Sequence, residues 1–312
     1  MNDGIYFDLP EATYHAEQRL SSSGIRDILE NPTCFWFNSN LNPLKTEPKS
    51  EAMTDGRIFH TMILENENFT KKFKVIPPEI EALNKNTAEF KMWKAAQSLE
   101  LVPSEKFKKF KLICEYLKQD GQLLDCSVFR GGFSEVSIFW TEGGIPRKCR
   151  IDYLKENGIV DLKTFVKQNR SPLGLYVSQY FFGYRVYIQL IYYLRGLKFA
   201  LNENLPIKGT AEQKRLIESL KNRDLMTMVA FVNRELPQSA VRVFSQQLCP
   251  DLWRLGERQI EEAENIYSEY LLKYGLKSAW LQSTETTADE LLFKDSDFPQ
   301  SFNEILQRNS NI

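Results

Sequence analysis

Arg150-Ile151-Asp152-Tyr153-Leu154-Lys155-Glu156-Asn157-Gly158-Ile159-Val160-Asp161-Leu162-Lys163-Thr164 is the stretch on which the fold turns. Asp152 and Asp161 each interrupt an apolar, strand-like run, the first between Ile151 and Tyr153, the second between Val160 and Leu162. A carboxylate in such a place is costly unless something pairs with it. The intervening Lys155-Glu156-Asn157-Gly158 is a turn signal, so the segment predicts a β-hairpin. A two-residue turn at Asn157-Gly158 sets Asp152 opposite Lys163, and one centred a residue earlier sets it opposite Asp161. Either register places Asp152, Asp161 and Lys163 on one side of the sheet, because residues two apart share a face.

Two acids and a lysine suit metal-assisted hydrolysis of a phosphodiester. Hard carboxylate oxygens hold magnesium or manganese, and the ion polarises the phosphate and acidifies its water. The lysine orients that water and offsets charge in the transition state. The competing reading is a strand-borne ion pair between Lys163 and one aspartate. Glu135, on the preceding strand with Ser137 and Phe139 on its face, either reaches the same region or is a surface residue. Arg185, Gln189 and Tyr193 fall four apart and predict a polar stripe on an otherwise apolar helix, suited to a phosphate, a base or internal hydrogen bonds.

Outward from the hairpin, strands are expected at Phe133 to Trp140, Arg147 to Leu154 and Gly158 to Thr164, then one long helix from Leu173 to Leu197. Strands at Met226 to Arg234 and Val241 to Gln246 follow, then a helix from Asp251 to Tyr274 and an acidic tail. Residues 1–128 read as mainly helical. One helix starts at Ser21-Ser22-Ser23 and is closed by Pro32, and another runs from Ala52 to Glu65 with His60 beside its apolar face. The lysine-rich stretch from Ile80 to Gln119 reads as helical, Lys106 to Lys111 forming a solvated face over Phe107 and Phe110 rather than a DNA contact. The expected architecture is one α/β domain over residues 1–312: a central mixed sheet with helices on both sides, with residues 129–250 carrying the sheet and the chemistry and 251–312 the final helix and tail.

An apolar fraction of 42% supports a substantial core, and a formal net charge of −1 predicts no blanket attraction to nucleic acid or anionic lipid. Any DNA contact must then be local. Five cysteines without CxxC spacing argue against a disulfide framework or zinc finger and suggest reduced thiols in a cytoplasm. The amino terminus has no apolar core of signal-peptide length, which predicts no secretion. Gln179, Arg185 and Gln189 interrupt the one aromatic stretch long enough to span a membrane, so it is expected to be a buried soluble helix.

Taken together these motifs resemble the PD-(D/E)XK nucleases, and within them the RecE-type exonuclease (exodeoxyribonuclease VIII) and its phage relatives. Arg150-Ile151-Asp152 resembles the first acidic motif with Ile151 in place of the usual proline, and Val160-Asp161-Leu162-Lys163-Thr164 matches the second. Gln189-Leu190-Ile191-Tyr192-Tyr193 resembles the QxxxY helix motif, preceded by a RecE-like Tyr184-Arg185. Tyr14-His15-Ala16, Ser21-Ser22-Ser23 and Gly56-Arg57-Ile58-Phe59-His60 resemble the RecE amino-terminal features.

The resemblance implies that His60, Asp152, Asp161 and the Leu162 carbonyl bind Mg2+ or Mn2+, with Lys163 catalytic; Glu135 joins the candidate catalytic group from its place on the preceding strand. It places Gln189 and Tyr193 near the DNA end; Arg185, Ser22 and Arg26 are separate candidates for DNA contact. RecB-like relatives with an iron–sulfur cluster carry a close trio of late cysteines; here only Cys249 lies beyond the core, so no cluster is expected. The implied activity is 5′ to 3′ exonucleolysis of linear double-stranded DNA in phage or bacterial recombination, by a ring-shaped homo-oligomer with a single-strand annealing partner. The alternatives are an endonuclease or repair or defence nuclease of the same fold, and a catalytically silent DNA-binding recombination partner. The intact Asp-x-Lys counts against the last, since two acids repel DNA phosphates.

Overall fold

The computed structural model describes residues 1–45, 50–121, 123, 128–167 and 170–281, so Cys126 and the acidic tail from 282 lie outside the described residues. Nine strands are described: β1 Gly4–Tyr6, β2 Phe73–Val75, β3 Glu100–Val102, β4 Gly132–Glu142, β5 Ile145–Lys155, β6 Gly158–Phe165, β7 Ile207–Lys208, β8 Met226–Asn233 and β9 Ser239–Phe244. Seven of them form one mixed sheet in the order β7-β1-β4-β5-β6-β8-β9. The β4-β5-β6 meander is antiparallel, as the sequence predicts, while β6 pairs parallel with β8. Strands β2 and β3 make a separate two-stranded parallel sheet.

The helices are α1 Glu11–Ala16, α2 Ser22–Glu30, α3 Pro32–Asn38, α4 Glu51–Leu64, α5 Phe69–Lys72, α6 Pro78–Glu81, α7 Ala88–Ala95, α8 Ser104–Leu117, α9 Leu173–Gly183, α10 Val186–Asn202, α11 Ala211–Leu220 and α12 Pro250–Tyr274. Each face of the sheet has its own apolar core. One contains Ile25, Ile28, Ile138, Trp140, Leu190, Leu197 and Ile260, joining α2, α10 and α12 to the sheet. The other contains Ile58, Phe59, Phe110, Val160, Leu162 and Met228, joining α4 and α8. At Gly196 a Cβ would stand 2.7 Å from the Trp140 ring, so a larger residue would lift α10 off the sheet.

Three sequence expectations need correction. Pro32 does not simply close a helix: Asn31 ends α2 and its side chain caps α3 at 2.7 Å from the Thr33 amide, and Pro32 takes the first helical position. There a missing N–H costs nothing. The stretch from Ile80 to Gln119 is not one helix, because Leu101 and Val102 precede Pro103 in extended conformation and supply β3. The segment from Leu173 to Leu197 is two helices, broken where Arg185 adopts φ 50 and ψ 43. No helix among the described residues is long and apolar enough to cross a membrane.

The lysine-rich face of α8 is as expected. Lys106 pairs with Asp55 at 2.6 Å, Lys108 with Glu105 at 2.9 Å, and Lys109 with Glu235, while Phe110 is buried.

The hairpin register is decided by pairs of Lys155 with Gly158, Leu154 with Ile159 and Tyr153 with Val160. The turn is therefore Glu156-Asn157, and the register points Asp152 at Asp161. Gly158 sits at φ 136, where a Cβ would lie 2.0 Å from the Met226 carbonyl oxygen, so the close approach of β6 to β8 requires glycine. Beyond Tyr153–Val160 the β5–β6 ladder stops. The β4–β5 ladder also lapses there: it pairs Ser134 with Tyr153 and Val136 with Ile151 but skips Glu135 and Asp152, and Glu135 has φ 58. Strict alternation fails at this point. Ile151 belongs to the first core and Tyr153 to the second, although they are two residues apart. The sheet thus opens between β5 and β6 at Asp152.

Candidate active site

The opening collects groups from three layers. From α4 on one face, His60 sets Nε2 3.1 Å from Asp152 Oδ2 and Nδ1 3.6 Å from Glu135 Oε1. Asp152 takes the place of a ladder partner, its Oδ2 accepting the Leu162 backbone N–H at 2.8 Å. From the other face α10 contributes Gln189, whose Nε2 donates to Asp161 Oδ1 at 2.7 Å and whose Oε1 accepts from Lys163 Nζ at 3.0 Å. Lys163 Nζ also lies 2.9 and 2.7 Å from the two Asp161 carboxylate oxygens. Thus Asp161, Lys163 and Gln189 form a closed triangle, and Asp152 links it to His60 and Glu135.

Asp161 is fully buried, yet its Oδ2 has no hydrogen-bond donor in line, the nearby ammonium bonding instead through Oδ1. An ionised oxygen left so in the interior needs an explanation. Burial pushes the Asp161 carboxyl up, Asp152 adds to this, and Lys163 only partly opposes them. Burial also acts on Asp152, but His60, Lys163 and the Leu162 amide outweigh it and hold its pKa below the usual carboxylate range. Desolvation disfavours the charged form of His60 and of Lys163, and in both cases the facing carboxylates more than reverse it, raising the pKa. Lys163 therefore stays an ammonium at neutral pH and serves as a fixed cation rather than a base.

Glu135 does reach the site. Burial and the Asp152 charge raise its pKa, and it is held from the other side by Arg150 Nε. Tyr193 lies one turn after Gln189, nine-tenths buried, with a pKa driven well above the ordinary value by burial, so it remains a neutral hydroxyl. Both line a cavity of about 340 Å3 that also meets Asp152, Ser22 and Arg26. Arg26 gives Nη1 to the Tyr184 carbonyl at 3.0 Å. The expected stripe of three is corrected: Arg185 is the left-handed residue before α10 and not part of it, so the polar pair on that helix is Gln189 and Tyr193.

Sequence reading named Tyr14 and Arg150 only as parts of motifs, without a role in the site, and missed Lys148 in the cavity wall. Lys148 Nζ donates to the carbonyls of Tyr14 at 2.9 Å and Glu17 at 2.7 Å, and burial lowers its pKa to about 8. Both cations stand over the Tyr14 ring, at 4.7 Å for Lys148 and 5.6 Å for Arg150. The signal for Arg150 was present, since it opens the first acidic motif. Nothing local marks Lys148, whose partners lie more than 130 residues away.

Among the described residues no three acid, histidine or cysteine side chains stand as a preformed metal cage. The donors close on one another instead: His60 on Asp152, and Asp161 on Lys163 and Gln189. The set nonetheless fits a small divalent ion in kind, with carboxylate oxygens, one imidazole and a buried Asp161 oxygen that receives no in-line hydrogen bond.

Residues 21–228, about two thirds of the chain, match the model of a family described as a PDDEXK-like domain of unknown function (DUF3799). The chain belongs to this PDDEXK-like family. The matched span takes in Ser22, Arg26, His60, Glu135, Asp152, Asp161, Lys163, Gln189 and Tyr193, while Tyr14 lies before it, and the domain is a nuclease of the PDDEXK type. A crystal structure from Eubacterium rectale, provisionally named an exonuclease, is similar at a TM-score of 0.47 and 12% identity, covering 93% of this chain and 96% of that one. No curated protein matches the chain.

Proposed function

We propose that this PDDEXK-type domain is a metal-dependent deoxyribonuclease that degrades linear double-stranded DNA from its ends. The observation that carries the reading is the convergence of Asp152 and Asp161 with the Lys163 ammonium at one opening of the sheet, Asp161 being fully buried and its pKa raised first by that burial and then by Asp152.

In this reading His60, Asp152, Asp161 and the Leu162 carbonyl hold Mg2+ or Mn2+. When bound, the ion supplies Lewis acidity to a phosphate oxygen and a nucleophile of lowered pKa. Lys163 stays protonated, orients the attacking water and offsets negative charge building on the phosphate. Gln189 fixes Lys163 and Asp161 relative to one another, since it bonds to both. Tyr193, kept neutral by burial, offers a hydroxyl to the scissile strand, and Glu135 adds a third carboxylate next to His60. Ser22 and Arg26, with Arg185 at the corner before α10, face the DNA backbone. The resemblance to RecE-type enzymes extends the reading to 5′ to 3′ polarity, a ring-shaped homo-oligomer, a single-strand annealing partner and a cytoplasmic role in phage or bacterial recombination.

The test is a gel. End-labelled linear duplex and covalently closed circular duplex are incubated with magnesium, manganese, calcium or EDTA. Linear DNA should disappear with magnesium or manganese and persist with calcium alone, because calcium tolerates loose coordination and activates water poorly. Equal cleavage in EDTA removes the metal mechanism, and cleavage of the closed circle makes the enzyme an endonuclease. His60→Ala should raise the manganese concentration for half-maximal cleavage by roughly 10- to 100-fold, the usual cost of disturbing a metal's protein environment. An unchanged requirement returns His60 to the packing of α4.

A further inference from the structure

The corner between α9 and α10 carries side chains that the site described above does not use. Tyr184 is 60% exposed and Phe182 57% exposed, although both belong to the most apolar part of the chain. Their exposure is not the fraying of a loose end. Tyr184 donates its backbone N–H to the Tyr180 carbonyl at 3.0 Å, and its own carbonyl accepts from Arg26 Nη1 at 3.0 Å. The next residue, Arg185, holds φ 50, a conformation that a side chain disfavours and that persists only where the surroundings enforce it. A strained, doubly tethered corner presenting aromatic rings to solvent fits a functional feature better than a folding one.

The corner is also continuous with the chemistry. The rings of Tyr184 and Tyr180 lie 4.4 Å apart at 40°, and Tyr180 is within electrostatic reach of Lys163 and Asp161. Tyr180 in turn packs edge-on against Phe231 of β8, next to the β6 segment that bears Lys163. Two arginines neighbour the corner: Arg26, which reaches across from α2 to the Tyr184 carbonyl, and half-exposed Arg185, the next residue in the chain. Aromatic faces beside cations, within two rings of a phosphodiester-cleaving site, match one ligand chemistry. A nucleobase stacks on the ring while its phosphate meets the cation. A protein partner would call for a broader apolar surface than two exposed rings next to two arginines.

We infer that the Tyr184 corner is a stacking platform for the unpaired terminal base of a DNA strand, holding that base outside the duplex while the adjoining phosphodiester is at Lys163. This rests on the nuclease reading for its choice of ligand but not for its test. The rings supply affinity that does not depend on sequence, because every base has a π face. Tyr184 is a positioning residue here, since it touches the substrate's end base and not the reacting atoms.

The experiment uses the full chain and a short linear duplex with 5-iodouracil at the terminal or at an internal nucleotide, in calcium so that the strand stays whole. Irradiation should crosslink the terminal base, and not the internal one, to a peptide containing Tyr184. Tyr184→Ala should bind the same duplex roughly five- to a hundredfold more weakly, the loss expected for one base–aromatic stack. Tyr184→Trp should bind as tightly as wild type. In magnesium, Tyr184→Ala should raise KM and leave kcat within about twofold, because stacking that is equal in ground and transition states contributes binding alone.

Crosslinking that maps elsewhere, or Tyr184→Ala binding as wild type does, overturns the proposal. So does a variant that changes oligomeric state while keeping its DNA affinity, which would make the corner a subunit contact. If wild type crosslinks through Tyr184 yet cuts DNA in neither magnesium nor manganese, the nuclease reading fails and the stacking platform stands.

Discussion

Two ionic clusters lie between the sheet and its helices, and they are built to opposite specifications. In the first, Glu264 of α12 takes Arg147 Nε at 2.7 Å on one oxygen and Arg195 Nη1 at 3.2 Å on both, while Arg147 also donates to the Ile145 carbonyl at 2.9 Å. Both oxygens of Glu264 are occupied, and Arg195 also pairs with Glu142 at 2.9 Å, so two cations meet two acids. In the second, Asp152, Asp161 and Glu135 gather around Lys163, His60 and Arg150, and an Asp161 oxygen is left without a donor. The first cluster fastens the β4–β5 hairpin to α10 and α12. The second brings three carboxylates together in the interior, which costs stability and is retained where a site must receive a cation or an electrophile.

The sharpest way to break this comparison is to neutralise one acid in each cluster. Asp161→Asn should lower DNA cleavage by roughly 10²- to 10³-fold or more, the scale on which a single electrostatic contact to the transition state acts. Its melting temperature in EDTA should stay close to that of wild type. A carboxyl whose folded pKa is raised binds its proton more tightly when folded, so at neutral pH its ionisation opposes folding, and asparagine removes that opposition. Manganese should raise the wild-type melt and leave the variant unmoved, since only protein that binds the ion gains from it. A variant that melts far lower in EDTA yet still cuts would place Asp161 with Glu264 as a structural anion.

Glu264→Ala should behave in reverse. It strands Arg147, whose side chain is 3% exposed, and loss of one partner from such a pair costs about 3–5 kcal/mol. The melting temperature should fall by on the order of 10 °C, with cleavage per folded molecule retained well below the melt. A small shift here would mean that the saturated cluster contributes little and the contrast is wrong.

The smallest effect concerns the cavity wall. Lys148 has its pKa lowered from 10.5 to about 8, first by burial and only partly restored by Glu17. Between those values the unfolded chain holds the proton and the folded one does not, so this group makes stability rise as pH goes from about 8 to 10.5. Thermal melts of wild type and Lys148→Met across that range should diverge in favour of wild type as pH increases. Parallel curves would show that the amine titrates in the fold as it does in water.

The meander, the acid pair and Lys163 were legible in the sequence because they are written locally: alternation, a turn signal and two carboxylates among apolar residues. Gln189 was legible as a polar residue on an apolar helix. Its bonds to both Asp161 and Lys163 depend on how α10 seats on the sheet, through contacts such as Gly196 on Trp140. The break at Arg185 was not legible, since Tyr184-Arg185-Val186 has no proline and Gly183 is a weak stop. Strand β3 hid inside a lysine-rich helical pattern until Pro103 is read as forcing its neighbour to extend. Least legible was the lapse of both ladders at Asp152, where alternation, the rule that located the acids, ceases to hold.

That lapse has a mechanical consequence. His60 is carried by the layer of α4 and Gln189 by the layer of α10, and the sheet keeps their apolar cores apart everywhere else that the two are described. Whatever binds between these side chains rivets one layer to the other through the slit. Occupancy should then merge two local openings into one cooperative event, slowing amide exchange in α4 and α10 together and by similar factors, although the two helices lie on opposite faces of the sheet.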